Sequence, residues 1–148
     1  MAMPLLLRGL GRIWALPNSI LGALLLGIAV ATGGGAAPVA GVIEVHGGLL
    51  RRALARFPLG RGGAMAITLG HVVVGTDLAT LALTRAHERV HVSQYERWGP
   101  LFLPAYGLCS LWAWLRGADP YRDNRFERQA FAAEAAAARS PRPGGGIG

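Results

Sequence analysis

His87-Glu88-Arg89-Val90-His91 carries the residue types and spacing best suited to chemistry in this chain. If the pentapeptide is helical, His87 and His91 stand one turn apart on one face, and both imidazoles can reach a single metal ion. Glu88 follows the first ligand directly, where a carboxylate can hold and deprotonate a water activated by that ion. A catalytic zinc usually has three protein ligands and one open position, so a third donor must come from elsewhere. Glu127 fits best, because Asn124-Arg125-Phe126-Glu127 opens a helix and presents a carboxylate near its N-terminus. Glu134, two turns further on, shares that face and is a substitute. Asp119, Asp123 and His71 are weaker alternatives.

The elements that must position these groups read as follows. The pentapeptide lies in a helix predicted over Leu78 to Trp98, entered through an Asp or Thr cap at Thr76-Asp77 and stopped by Gly99-Pro100. Asp123 or Asn124 can cap a last helix, Arg125 to about Arg139, whose Ala-rich half has high helix propensity. Val39 to Val45 reads as a short strand with a turn at Gly47-Gly48, and Ala64 to Val74 is β-like around Gly70-His71. Leu49 to Phe57 reads as a short helix or irregular arm, ended by Pro58 and Gly60 to Gly63. The tail, 140–148, is rich in Pro and Gly and is expected to be disordered.

Composition adds a second theme. A hydrophobic fraction of 52% and a mean hydropathy of +0.36 are high for 148 residues, because so small a core cannot hide them all. Ile13 to Ala31 carries no formal charge and would span about 28 Å as a helix, near the roughly 30 Å of a hydrocarbon core. Pro17-Asn18 interrupts it. It reads as a retained membrane anchor, the apolar part of a cleavable signal, or a buried core helix. Leu101 to Leu115 is a second uncharged stretch, too short as a helix, at about 22 Å, for a full crossing. The net charge of +7 comes from 15 basic residues, all arginine and scattered, which argues against a nucleic-acid face and is compatible with anionic lipid. The lone Cys109 excludes an intrachain disulfide.

The pentapeptide followed by an Asn124-x-x-Glu127 helix resembles the gluzincin branch of the zincin metallopeptidases. The run Glu88 to Trp98 also looks like small bacterial membrane proteins carrying this motif. The resemblance covers roughly Ala64 to Glu134, and only the pentapeptide is specific. It implies zinc, with His87, His91 and Glu127 as ligands, Glu88 as general base and a polypeptide near a membrane as substrate. Two departures stand out. Arg89 places a permanent cation inside the motif, and Phe131 occupies the position where related membrane peptidases often carry an Asp. Tyr95, His71, Gln94, Asn124 and Glu134 are further candidates for holding the ligands or the substrate, although a packed Tyr95 and a hydrogen-bonded core His71 are the plainer readings. Glu96 is expected to pair with Arg97 or Arg89.

Together these readings give an α+β fold with an N-terminal membrane helix, a small β-sheet, a zincin-like motif helix and a downstream ligand helix. Residues 1–38 form an anchor or signal segment with a Gly-rich linker, 39–139 a minimal zincin-like domain and 140–148 the tail. The expected function is that of a membrane-associated zinc hydrolase of the metallopeptidase kind, at the bacterial inner membrane, with the lipid bilayer as a partner and the side of the site open. The alternative is a non-catalytic membrane protein with a structural or decayed metal site. The two ligand helices constrain topology: Leu101 to Leu115 must not span, or His91 and Glu127 would emerge on opposite sides.

Overall fold

The computed structural model describes residues 5–56 and 65–139. The expected breaker at Pro58 to Gly63 and the tail, 140–148, lie outside the described residues. The order is α1 (Leu5–Trp14), α2 (Leu16–Ala31), β1 (Gly35–Val39), β2 (Val42–His46), α3 (Gly48–Arg56), β3 (Ala66–Leu69), β4 (Val72–Gly75), α4 (Leu78–Trp98), α5 (Phe102–Leu115) and α6 (Arg125–Arg139). The fold is α+β, with one four-stranded sheet in the order β1-β2-β4-β3. Two antiparallel hairpins, β1–β2 and β3–β4, join through a parallel β2–β4 pairing.

Strand alternation explains what each face carries. Val45, Val72 and Val74 turn to one side and pack with Ala29 of α2 and Leu50 and Leu54 of α3. Val42 and Val73 turn to the other and meet Leu81 and Val92 of α4. β4 is therefore covered on both faces, and all four of its residues are buried. A third cluster, Ala15, Tyr95, Phe102 and Phe126, ties the junction of α1 and α2 to α4, α5 and α6.

The motif helix forms for the expected reasons. Asp77 accepts the Thr80 N–H at 2.8 Å as its N-cap, and Gly99 ends it with φ of 54°. On the face away from the imidazoles, Arg85 grips the buried Glu44 of β2 through two hydrogen bonds of 2.8 and 2.9 Å. Arg89 donates to the carbonyls of Val39 and Ala40 at the β1–β2 turn. The cation inside the motif thus docks the helix on the sheet.

Several expectations are corrected. Gly35 to Pro38, expected as a flexible linker, form β1, which pairs along its length with β2. The β-like stretch before the motif is confirmed and forms a hairpin folded at Gly70-His71. The membrane reading is overturned: no helix among the described residues is long and apolar enough to cross a membrane. The expected N-terminal membrane helix is broken at Ala15, and α2 retains 16 residues, about 24 Å. It packs on the sheet through Gly22 and Ala29, while Asn18, also buried, donates to the Gly99 carbonyl at the end of α4. The expected transmembrane helix and inner-membrane location are therefore not supported by the described residues. The apolar surplus stays on outer surfaces such as Ile20 and Leu24 of α2 and Leu108 and Trp112 of α5.

The approach of α2 to the sheet depends on a missing side chain. A Cβ on Gly22 would lie 2.6 Å from Val72 Cβ and 2.8 Å from the Leu69 carbonyl oxygen. Alanine favours a helix over glycine by about 1 kcal/mol, whereas overpacking costs about 1–3 kcal/mol. Gly22→Ala is therefore expected to lower Tm by several degrees in a thermal melt, and an unchanged or raised Tm would refute this packing.

Candidate metal centre

α4 and α6 lie side by side, and their facing residues converge. His87 Nε2 lies 3.1 Å from Glu127 Oε2, His91 Nε2 lies 3.4 Å from Glu127 Oε1, and the two Nε2 atoms are 3.2 Å apart. All three residues are buried, and one ligand atom from each lies within 4.8 Å of the others, so the group could hold a metal ion. Asn124 explains how Glu127 arrives there. Its side chain accepts the Phe126 N–H at 2.9 Å, capping α6, and donates to the Tyr106 carbonyl and to Ser110 Oγ on α5. Glu127 then falls in the first turn of α6, where the helix dipole favours a carboxylate.

A hydrogen bond fixes the tautomer of the His91 imidazole. The Gln94 amide nitrogen donates to the Phe126 carbonyl at 3.1 Å and to Gln129 Oε1 at 3.0 Å, so Gln94 Oε1 is the atom facing His91 Nδ1 at 2.9 Å. That oxygen only accepts, which places the proton of neutral His91 on Nδ1. Glu134 Oε2 lies 3.3 Å from His87 Nδ1 as an ion-pair contact. His87 Nε2, His91 Nε2 and the Glu127 carboxylate thus face one another. A proton or a metal ion among them offsets the repulsion of their lone pairs. A set of two imidazoles and one carboxylate suits a divalent transition metal.

The electrostatics agree. Burial alone would raise the Glu127 pKa, but hydrogen bonds from His87 and His91 outweigh it and hold the value down to about 2. Burial alone would lower that of His91, and the carboxylates of Glu127 and Glu88 outweigh it, raising the value. Glu88 is raised, chiefly by burial. Tyr106 donates its hydroxyl to Glu127 Oε1 at 2.7 Å; burial and that carboxylate push its pKa well above the usual phenol value.

The triad forms the floor of a cleft of about 720 Å³. Glu88 lines it too, with β3, α5, the Asp119–Arg122 loop and Phe131 as walls. Of the alternative ligands, Glu134 stands beside His87 rather than in the triad. Asp119 accepts the Tyr121 and Arg122 N–H groups, and Asp123 accepts that of Asp119, so both build the loop. His71 is not in the cleft: it sits between Ser19 Oγ, at 3.4 Å, and Glu96 Oε1, at 2.9 Å, joining α2 and α4 at the β3–β4 turn. Glu96 thus pairs with His71 and not with Arg97 or Arg89. Tyr95 is buried against Phe102, with ring centroids 4.3 Å apart, and also borders the cleft. Phe131 meets the His87 ring edge-on at 4.8 Å. The carboxylate partner missing at that position comes from Glu134 instead.

Sequence reasoning did not find Tyr106 or Thr68. Thr68 Oγ1 donates to Glu88 Oε2 at 2.7 Å. Neither residue belongs to a motif, and no periodic pattern links them to partners some 20 positions away.

Compared with known protein families, curated proteins and solved structures, the chain finds no match. The likeness to zincins therefore rests on the pentapeptide.

These shifts give a pH prediction for metal-free protein. Glu127, with its pKa depressed from 4.5, contributes stability that is present above about pH 4.5 and lost toward pH 2, of about 3 kcal/mol. His91, with its pKa raised from 6.5, contributes stability that is present below pH 6.5 and lost as pH rises through the raised value. Chelator-treated protein is expected to show its highest Tm between about pH 4.5 and 6.5, and Glu127→Gln is expected to flatten both flanks. A Tm that climbs steadily from pH 6 to 9 would contradict this.

Proposed function

We propose that this chain is a zinc-dependent hydrolase of peptide bonds, with His87, His91 and Glu127 as ligands and Glu88 as general base. The observation that supports it most is the buried convergence of two imidazole lone pairs and a carboxylate beside a second carboxylate in the same cleft. When bound there, zinc would polarise the scissile carbonyl and lower the pKa of water.

The protein's own groups supply the rest. Burial lifts the Glu88 pKa and so strengthens it as a base. It accepts a proton from water in the cleft and returns it to the leaving amine, which leaves the enzyme unchanged after each cycle. Gln94 accepts from His91 Nδ1, so that ring presents Nε2. Tyr106 holds one oxygen of Glu127 and thereby restricts its rotation.

A polypeptide is the substrate class that fits. The cleft volume matches that of sites that enclose several chemical groups, and Ile67, Leu69, Phe102, Leu103 and Phe131 give it apolar walls. Glu88, Glu127 and Glu134 make its interior acidic and unsuited to nucleic-acid phosphates.

Purified protein is expected to bind one equivalent of zinc. Glu88→Gln is expected to retain the zinc and lose about 100-fold or more of peptide hydrolysis. Metal-free protein with an intact fold and no affinity for zinc would overturn the proposal. If Glu88→Gln left function untouched while His87→Ala unfolded the chain, the metal would be structural.

A further inference from the structure

We propose that Thr68 is a positioning residue for Glu88: it fixes the carboxylate by one oxygen and leaves the other to take a proton from the cleft. This role rests on the hydrolase reading above.

β3 is an edge strand of the sheet and forms one wall of the cleft. Thr68 is its buried residue, opposite Val73 of the fully buried β4. Its hydroxyl donates to Glu88 Oε2 at 2.7 Å, and among the described residues this is the one hydrogen bond made by the Glu88 carboxylate. Glu88 is 5% exposed, so little solvent competes for that oxygen.

The physical need is specific. The terminal torsion of a glutamate side chain is broad, with no deep minimum to hold the carboxylate in one plane. Glu88 also lies within electrostatic reach of His87 and His91, so a loose carboxylate would swing toward the imidazoles. A general base must sit within hydrogen-bond reach of the proton it takes, and small misplacements are costly. Thr68 removes the freedom by tying Oε2 to the one buried residue of β3, and among the described residues no protein donor meets Oε1. Threonine suits the place because its branched Cβ fits a strand while its hydroxyl reaches the helix.

Thr68→Val keeps the shape and deletes the hydroxyl, and Thr68→Ser keeps the hydroxyl. In zinc-loaded protein, Thr68→Val is expected to lower kcat about 10- to 100-fold with KM within about twofold, and Thr68→Ser to stay within about threefold of wild type. Zinc content and the absorption spectrum of the cobalt-substituted protein should not change. In the Glu88→Gln background, Thr68→Val should add no further loss, because it acts through the same carboxylate.

A second arm needs no activity. In chelated protein, Thr68→Val should lower Tm when Glu88 is present and leave it unchanged in a Glu88→Leu chain. Additive kinetic losses, a Thr68→Ser variant no better than Thr68→Val, or no Tm coupling would each overturn the role. An active wild type with a fully active Thr68→Val sinks this role alone. A wild type that cleaves no peptide sinks the hydrolase reading, and the role with it.

Discussion

A carboxylate with 3% of its surface exposed is costly to bury unless its oxygens are met by donors, and Glu127 meets that demand from neighbouring helices. His87 and His91 approach from α4 and Tyr106 from α5. Leaving any of them out would strand charge in a dry interior, so the mutual placement of α4, α5 and α6 is tied to this one side chain. Asn124 carries the constraint into the backbone, capping α6 with one end of its amide and holding α5 with the other. The rest of the fold gives α4 a fixed place. The sheet buries one side of the helix, and Arg85 and Arg89 fasten it there.

The two ligand helices were legible because their signals are local. Asp77, Gly99-Pro100 and Asn124 lie within a few residues of the ends they set, and Leu78–Trp98 and Arg125–Arg139 appear with the expected bounds. The sheet was only half legible. β4 is a run of valines and reads as a buried strand. β1, by contrast, is Gly35-Ala36-Ala37-Pro38-Val39, whose composition favours no strand. It forms because the Ala40-Gly41 turn, with φ of 44° and 86°, folds it back on β2. The parallel β2–β4 pairing joins segments separated by α3 and β3, and no short-range pattern encodes it.

The membrane reading failed for a related reason. Hydropathy summed along Ile13 to Ala31 does not register that the helix breaks at Ala15, nor that Asn18 donates to the Gly99 carbonyl at the end of α4. Gly22 in the same helix permits contact with Val72 that a larger residue would block. The apolar count was right, but α2 meets the sheet through Gly22, Ala29, Leu25 and Leu26 and leaves Ile20, Leu21 and Leu24 exposed. At the site, the convergence of His87, His91 and Glu127 followed from one-turn spacing and a downstream carboxylate helix. Thr68 and Tyr106 did not, because a hydrogen bond between distant positions leaves no trace in either segment alone.

Fixing the His91 Nδ1 proton has a consequence for what the triad can hold. The two Nε2 atoms and the Glu127 carboxylate lie 3.1 to 3.4 Å apart, so their lone pairs repel unless a proton or an ion lies among them. A proton on His91 relieves that repulsion, and the Glu127 and Glu88 carboxylates favour it there despite burial. A divalent ion would relieve it more fully, because all three acceptors can direct lone pairs at one centre. Protons and metal thus compete for the same atoms, and binding must weaken as acidity rises. Gln94 lies outside that competition. It holds His91 Nδ1 in either state, so that ring need not turn when one cation replaces the other. The convergence that draws a proton to these atoms is the same geometry that would suit an ion.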